Sequence, residues 1–199
     1  MQETQPEIRP TPVQAETMPL GRFALDIVET LALAVLLFLG INAISARVRV
    51  DGTSMRPTLE DGEFVLVNRL AYRFGEVQRG DIIVFHYPQN PRDELIKRVI
   101  GLPADEVLVS QGGVSINGVK LDEPYIAAAP DYAGTWRVPA DFLFVLGDNR
   151  NNSSDSPEWG MLPTQNVIGR ALLVYWPPPM WGVLEHASGR ASTQQVTFQ

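Results

Sequence analysis

The sequence predicts a mainly β protein, an antiparallel β-sheet domain preceded by one transmembrane helix. Three observations carry this. A single long apolar stretch runs from Phe23 to Ala46. After it the chain breaks into short β-branched-rich runs separated by turn residues. One of those runs, Val114 to Leu121, has Asn117-Gly118 at its centre, the strongest short-range hairpin signal.

Residues 1–22 carry Pro6, Pro10, Pro12 and Pro19 among polar neighbours and read as a disordered tail. Residues 23–46 read as the anchor, since 24 helical residues rise roughly 36 Å, enough to cross a bilayer. Asp26 and Glu29 fall on one helical face and belong at the headgroup level, which leaves Thr30 to Ser45 as a short hydrophobic span. A cleaved secretory signal is the competing reading. The late start, the lack of a basic leader and the direct run into Arg47-Val48-Arg49-Val50 favour an uncleaved anchor. Arg22 stands before the span and Arg47 and Arg49 after it, so charge counting alone favours a cytoplasmic C-terminal domain.

Residues 47–185 form the β-rich domain. Strands are expected at 64–67, 81–85, 95–100, 107–109, 142–146 and 171–176, with short helical turns at 57–61 and 68–74. Residues 106–142 are expected to make a small cap around the Asn117-Gly118 hairpin, and 186–199 a frayed polar tail.

Composition narrows the function. The chain has 199 residues, 45% of them apolar and 20% charged, with 16 basic residues against 23 acidic and a net charge of −7. No basic stretch with interleaved aromatics supports nucleic-acid binding. Zero cysteines exclude disulfides, thiol catalysis and cysteine-ligated metals. With only His86 and His186, a histidine-rich metal site has no support, and no metal or cofactor is expected.

The chemistry rests on Ser54 and Lys97. A serine hydroxyl needs a base, and His86, the only histidine within the β domain, reads as an exposed strand-end residue. Lysine becomes the candidate. An ordinary lysine near pKa 10.4 is protonated at neutral pH, and reaching about 7–8 requires roughly 4 kcal/mol in favour of the neutral form. Strand alternation aims Lys97 the way Leu95 and Val99 point. Desolvation in the core would supply the shift, whereas snorkelling out of an apolar patch would not. Ser54 has two readings as well, nucleophile or N-cap of a short helix.

Four blocks in order resemble the type I signal peptidases, membrane-anchored Ser/Lys proteases. They are residues 52–59 (GTSMRPTL), 79–85 (RGDIIVF), 97–105 (KRVIGLPAD) and 147–156 (GDNRNNSSDS). The resemblance implies a signal-peptidase-type β domain, Ser54 as nucleophile and Lys97 as general base. It implies that Ser153 orients the lysine amine, that Asp148, Asp155, Arg98 and Arg150 brace the site, and that the Ser54 backbone N–H holds the oxyanion. Gly52 stands where some members have an oxyanion-binding serine, Asn151 where many have aspartate, and Pro157 where some have an arginine that pairs with the nearby aspartate. Asp155 is then held by Arg150 or by hydrogen bonds alone.

The implied substrates are signal peptides of secretory preproteins, lying extended beside a strand with alternate side chains in shallow pockets. Val50, Met55, Leu59, Leu95 and Ile96 are the candidates for those pockets, with ordinary core as the other reading for each. The remaining implied partners are the phospholipid bilayer and, transiently, the export machinery, with the catalytic domain on the extracytoplasmic side of a single-pass cell-membrane protein. Trp176 and Trp181 either meet lipid headgroups or pack under Pro177 to Pro179, and packing is the expectation. Self-cleaving repressors share Ser/Lys chemistry but carry a DNA-binding domain where this chain has an apolar span. A narrow-specificity processing peptidase and an inactive membrane-tethered peptide-binding module are the other readings.

Overall fold

The structure is a computed structural model that describes residues 20–186. Of the tails expected at 1–22 and 186–199, residues 1–19 and 187–199 lie outside the described residues, and Leu20 to Arg22 belong to a helix rather than to a tail. The chain divides into two compact units, Met1–Ile41 and Asn42–Gln199.

Helix α1 spans Leu20–Ile44. Its apolar side chains are exposed along its length, and it is long and apolar enough to cross a membrane. It ends two residues before the expected boundary because Ser45 already pairs as a strand.

The second unit contains twelve strands among the described residues. In chain order they are β1 (Ser45–Arg49), β2 (Phe64–Asn68), β3 (Ile82–Tyr87), β4 (Asn90–Gly101), β5 (Glu106–Ser110) and β6 (Gly113–Ile116). There follow β7 (Val119–Lys120), β8 (Gly134–Arg137), β9 (Phe142–Leu146), β10 (Leu162–Pro163), β11 (Val167–Trp176) and β12 (Gly182–Val183). A larger antiparallel sheet runs β1-β2-β11-β3-β4-β9-β10, with β12 beside β11. A smaller one runs β7-β6-β5-β8. The Asn117-Gly118 turn closes the β6–β7 hairpin, both residues at positive φ (51° and 81°), as a two-residue primed turn demands.

Alternation along β4 is realised as expected. Ile96 joins Val65, Val67, Ile82 and Val84 in one core cluster. Val99, with Leu95 against it, joins Ile83, Phe85 and Val145 in another. Each fully buried side chain of this kind contributes about 1.5–3 kcal/mol. The small sheet packs Val107, Val109, Val114 and Ile116 against Ile100, Phe144 and Leu146 of the large one, so the two sheets share a core.

Four expectations need correcting. Strand β4 begins at Asn90, five residues early, as an exposed hairpin arm whose Pro91 and charged Arg92 to Glu94 read as loop. The turns expected at 57–61 and 68–74 are present without regular helix, and Asn68 belongs to β2 instead. Trp176 and Trp181 do not pack under the prolines but stand 53% and 68% exposed. His186, expected to fray, accepts the Ile82 N–H on Nδ1 at 3.2 Å.

Candidate active site

Ser54 lies in the turn joining β1 to β2, and the base of that turn is closed by the chain itself. Val50 N–H donates to Glu63 O at 2.7 Å, and Gly62 N–H donates to Val50 O at 2.9 Å. Gly52 sits at φ +92°, in the left-handed region that favours glycine, and its N–H donates to Asp61 Oδ1 at 2.8 Å. A serine at position 52 would be strained in this backbone. Met55 and Leu59, buried on either side of the turn residues, root the loop in the core. The Ser54 N–H has no backbone acceptor among the described residues.

Lys97 comes from the middle of β4, opposite Ile83 on β3, and is only 3% exposed. Its Nζ lies 2.8 Å from Ser54 Oγ and donates to the Ile96 carbonyl at 3.1 Å. Burial pushes its pKa down from 10.5 to about 8, against the opposing pull of Asp155 and Asp148, which favour the charged form. The lysine is core-facing, not snorkelling.

The loop after β9 completes the site. Asn149 N–H donates to Ser54 O at 3.0 Å, and Asn149 Nδ2 donates to Thr53 O at 3.1 Å. Asn152 Nδ2 adds a bond to Thr53 Oγ1 at 3.0 Å. Gly147 makes this approach possible, since a Cβ there would fall 2.2 Å from Ser153 Oγ and 2.4 Å from Ser54 O. Gly147→Ala should therefore displace the nucleophile turn and lower kcat/KM by about 100-fold, the effect of a 1 Å misplacement. Steady-state kinetics on a signal-peptide substrate measure it, and near-wild-type rates would show that the turn accommodates the methyl.

Arg98, on the strand face opposite Lys97, makes a bidentate pair with Asp148 (2.8 and 2.7 Å) at 1% and 0% side-chain exposure. Asp148 also accepts from Thr58 Oγ1 at 2.5 Å, which ties the loop to the turn that carries Ser54. Arg98 donates further to Gly80 O and Glu185 O. Arg150 does not hold Asp155. Its guanidinium is bidentate to Glu123 (2.9 and 2.7 Å) and its Nε donates to Gly147 O at 3.0 Å. Asp155 accepts from Gly147 N–H at 2.9 Å, with the Ser153 hydroxyl beside it. Burial raises its pKa, while that bond, Ser153, Lys97 and Arg150 work to keep it charged.

Ser153 Oγ is buried beside Gly147 and Asp155 and makes no hydrogen bond to the Lys97 amine. Asn151 bonds Ala129 O and the Asp131 N–H, pinning the segment between the small sheet's strands to the catalytic loop. Pro157 lines, with Asp155 and Ser153, a cavity of about 370 Å³. Of the candidate pocket residues, Val50, Met55, Leu59 and Ile96 are at most 8% exposed in one core cluster. Leu95 packs against the cluster on the opposite face. Thr58, Glu123 and Tyr125 went unnoticed in the sequence. Tyr125 presents its ring to Arg98, 3.9 Å from Cζ. A buried Arg150 does demand a carboxylate, but nothing in the chain order singles out Glu123.

Comparison with known proteins agrees with this geometry. A profile of the family described as "Signal peptidase, peptidase S26" matches residues 24–176. "Probable signal peptidase I-2" of Synechocystis sp. is 41% identical over 94% of this chain and 88% of its own length. "Signal peptidase I" of Leptolyngbya laminosa is 48% identical over 79% of this chain and 82% of its own. "Probable signal peptidase I-1" of Synechocystis sp. is 42% identical over 82% and 88%. A buried lysine in contact with a turn serine, on a chain matched along three quarters of its length, leaves one assignment: this protein belongs to the signal peptidase family, peptidase S26.

Proposed function

We propose that Ser54 is the nucleophile and Lys97 the general base of this signal peptidase. As a member of its family the chain is a serine endopeptidase that removes N-terminal signal peptides from preproteins. The observation that supports the roles is the 2.8 Å contact between Ser54 Oγ and a buried Lys97 Nζ. Neutral Lys97 takes the Ser54 hydroxyl proton as Oγ attacks the scissile carbonyl. It then gives that proton to the departing amine, and an acyl-enzyme remains for water to hydrolyse. The Ser54 N–H stabilises the oxyanion, with Gly52 offering no hydroxyl. Ser153, Asp155, Asp148, Arg98 and Arg150 set the positions of the two reacting groups. The substrate lies extended, with small side chains toward Val50, Met55, Leu59, Leu95 and Ile96. Of the four in one core cluster, Val50 and Ile96 are the ones that reach the surface, at 5% and 8% exposed, while Leu59 is fully buried.

In this reading the chain before α1 is a cytoplasmic tail, α1 (Leu20–Ile44) the single membrane crossing and the strands from β1 onward the extracytoplasmic peptidase domain. Residues 106–142 are its reduced cap and 186–199 a terminal tail. The exposed Trp176, Met180, Trp181 and Val183 favour a surface that meets lipid headgroups. The export machinery is the transient partner that delivers the cleavage site. Incubation of a signal-peptide-bearing precursor with the full chain and with Ser54→Ala tests the proposal. Cleavage by the wild type and none by the variant is expected; full cleavage by Ser54→Ala would remove Ser54 from its role. A reporter fused after Leu184 must be active outside the cytoplasm, and a cytoplasmic signal would reverse the orientation.

A further inference from the structure

We propose that the groove beneath the turn at 69–77 is a binding site for an anionic phospholipid. Its phosphate sits between Arg69 and Arg73 and an acyl chain lies along Val77, Leu102 and Val167. The groove has a volume of about 870 Å³, within the ordinary range for small-molecule sites, and uses none of the residues that surround Ser54 and Lys97.

Four features select the ligand. Arg69 and Arg73 both line the groove, both are exposed, and neither is ion-paired with a carboxylate among the described residues. Glu76 on the same rim leaves one net positive charge. On a chain of net charge −7, a cationic rim is the exception and selects for an anion. One side of the groove is apolar, where Val77, Leu102 and Val167 pack against the core cluster beneath them, and Thr164 and Gln165 line it beside them. A ligand with a charged head and a hydrocarbon body matches the rim and the apolar side.

The rim is also tied to the residue on which α1 ends. Arg69 N–H donates to the carbonyl of Ile44, the last residue of α1, at 3.0 Å. With α1 in the bilayer, the turn carrying both arginines begins one hydrogen bond from the point where the chain leaves the hydrocarbon. Phe74, at the tip of that turn, is 87% exposed, as suits a side chain whose solvent is the membrane interface. The inference rests on α1 being a membrane span, and the experiment separates the two.

The chain has no cysteine, so single labels are clean. Full-length Phe74→Cys, Leu36→Cys and Leu108→Cys carry an environment-sensitive fluorophore in vesicles of phosphatidylcholine with or without phosphatidylglycerol. Lipids bearing a quencher report contact. Leu36, within α1, is quenched in both vesicle types, and Leu108, on the small sheet, in neither. Phe74 is quenched severalfold more with phosphatidylglycerol, and that excess disappears in the Arg69→Gln/Arg73→Gln background or at high salt. Quenching at Leu36 with none at Phe74 overturns the lipid site and leaves the anchor standing. Equal quenching of Phe74 in both vesicle types, or with both arginines removed, overturns the anionic seat. A Phe74 label that answers to added precursor and not to phosphatidylglycerol assigns the groove to an acidic peptide and overturns it too. An unquenched Leu36 overturns the membrane span itself.

Discussion

Lys97→Met should abolish precursor cleavage, by about 10⁴-fold in kcat, and at the same time make the protein more stable. Methionine fills the space with a thioether far too weakly basic to take the Ser54 proton. The stability gain follows from linkage. The folded-state pKa of Lys97 is lowered from 10.5 to about 8, so the folded state binds fewer protons than the unfolded chain between those values. Holding the charged amine in the core costs stability at every pH below about 8. The cost is relieved as pH rises toward 10.5. At pH 7 it amounts to up to about 3 kcal/mol. The lost hydrogen bond to Ile96 O returns about 1 kcal/mol of that. A net gain of about 2 kcal/mol raises Tm by about 4–8 °C. Thermal melts should show wild-type stability rising from pH 8 to 10.5 and no such rise in Lys97→Met. A variant that melts below wild type at pH 7 contradicts the desolvation account. The same value fixes the wild-type pH profile, with kcat/KM falling below about pH 8 as Lys97 protonates. Adding Ser54→Ala to Lys97→Met should cost nothing more, because the pair acts as a unit.

Arg98→Met should destabilise the fold by about 3–5 kcal/mol, the largest stability loss expected from one substitution here. It strands Asp148, fully buried, with only Thr58 as a remaining side-chain partner. It also leaves Gly80 O and Glu185 O without their donor. Asp148→Leu alone should cost a similar amount by stranding Arg98. The double variant should recover most of the stability, since no buried charge is left unpaired. Activity should not return with it. The Asp148–Thr58 bond fixes the turn of the nucleophile relative to the β9 loop, and leucine cannot replace it. Denaturant unfolding of the four proteins, with kinetics on each, measures both halves. Additive losses in the double variant would show that the two side chains do not work as a pair.

Local rules aim Lys97 inward but leave both Lys97 and Ser54 with two readings, and only the resemblance carried by the four ordered blocks singles out the pair. Alternation along Leu95 to Ile100 places Lys97 on the Val99 face, and the cross-strand partner Ile83 packs on that face with Val99. The Asn117-Gly118 hairpin is equally local. What could not be read is long-range. Glu123 reaches Arg150 across 27 residues and Thr58 reaches Asp148 across 90. Nothing in the spacing of acids and bases distinguishes those partners from the other carboxylates and hydroxyls. Strand β8 was missed because Gly134-Thr135-Trp136-Arg137 lacks a sustained β pattern and pairs only because β5 offers an edge. The arm at Asn90 to Glu94 was missed because its charges and proline suit an exposed hairpin as well as a loop. The tryptophans went astray for a different reason: near proline, an aromatic reads as packed whichever way it points.

The clasp between Thr53-Ser54 and Asn149-Asn152 has a consequence for the timing of activity. The nucleophile, the base and the loop that aligns them are separated by 43 residues from Ser54 to Lys97 and by 99 from Thr53 to Asn152. The turn that bears Ser54 hangs on β2, whose other neighbour, β11, is the last long strand in chain order, ending at Trp176. Contacts of such sequence separation form late in folding. A growing or partly folded chain thus holds its serine and lysine apart. On the roles proposed for Ser54 and Lys97, the enzyme is thereby inert until its last long strand has docked.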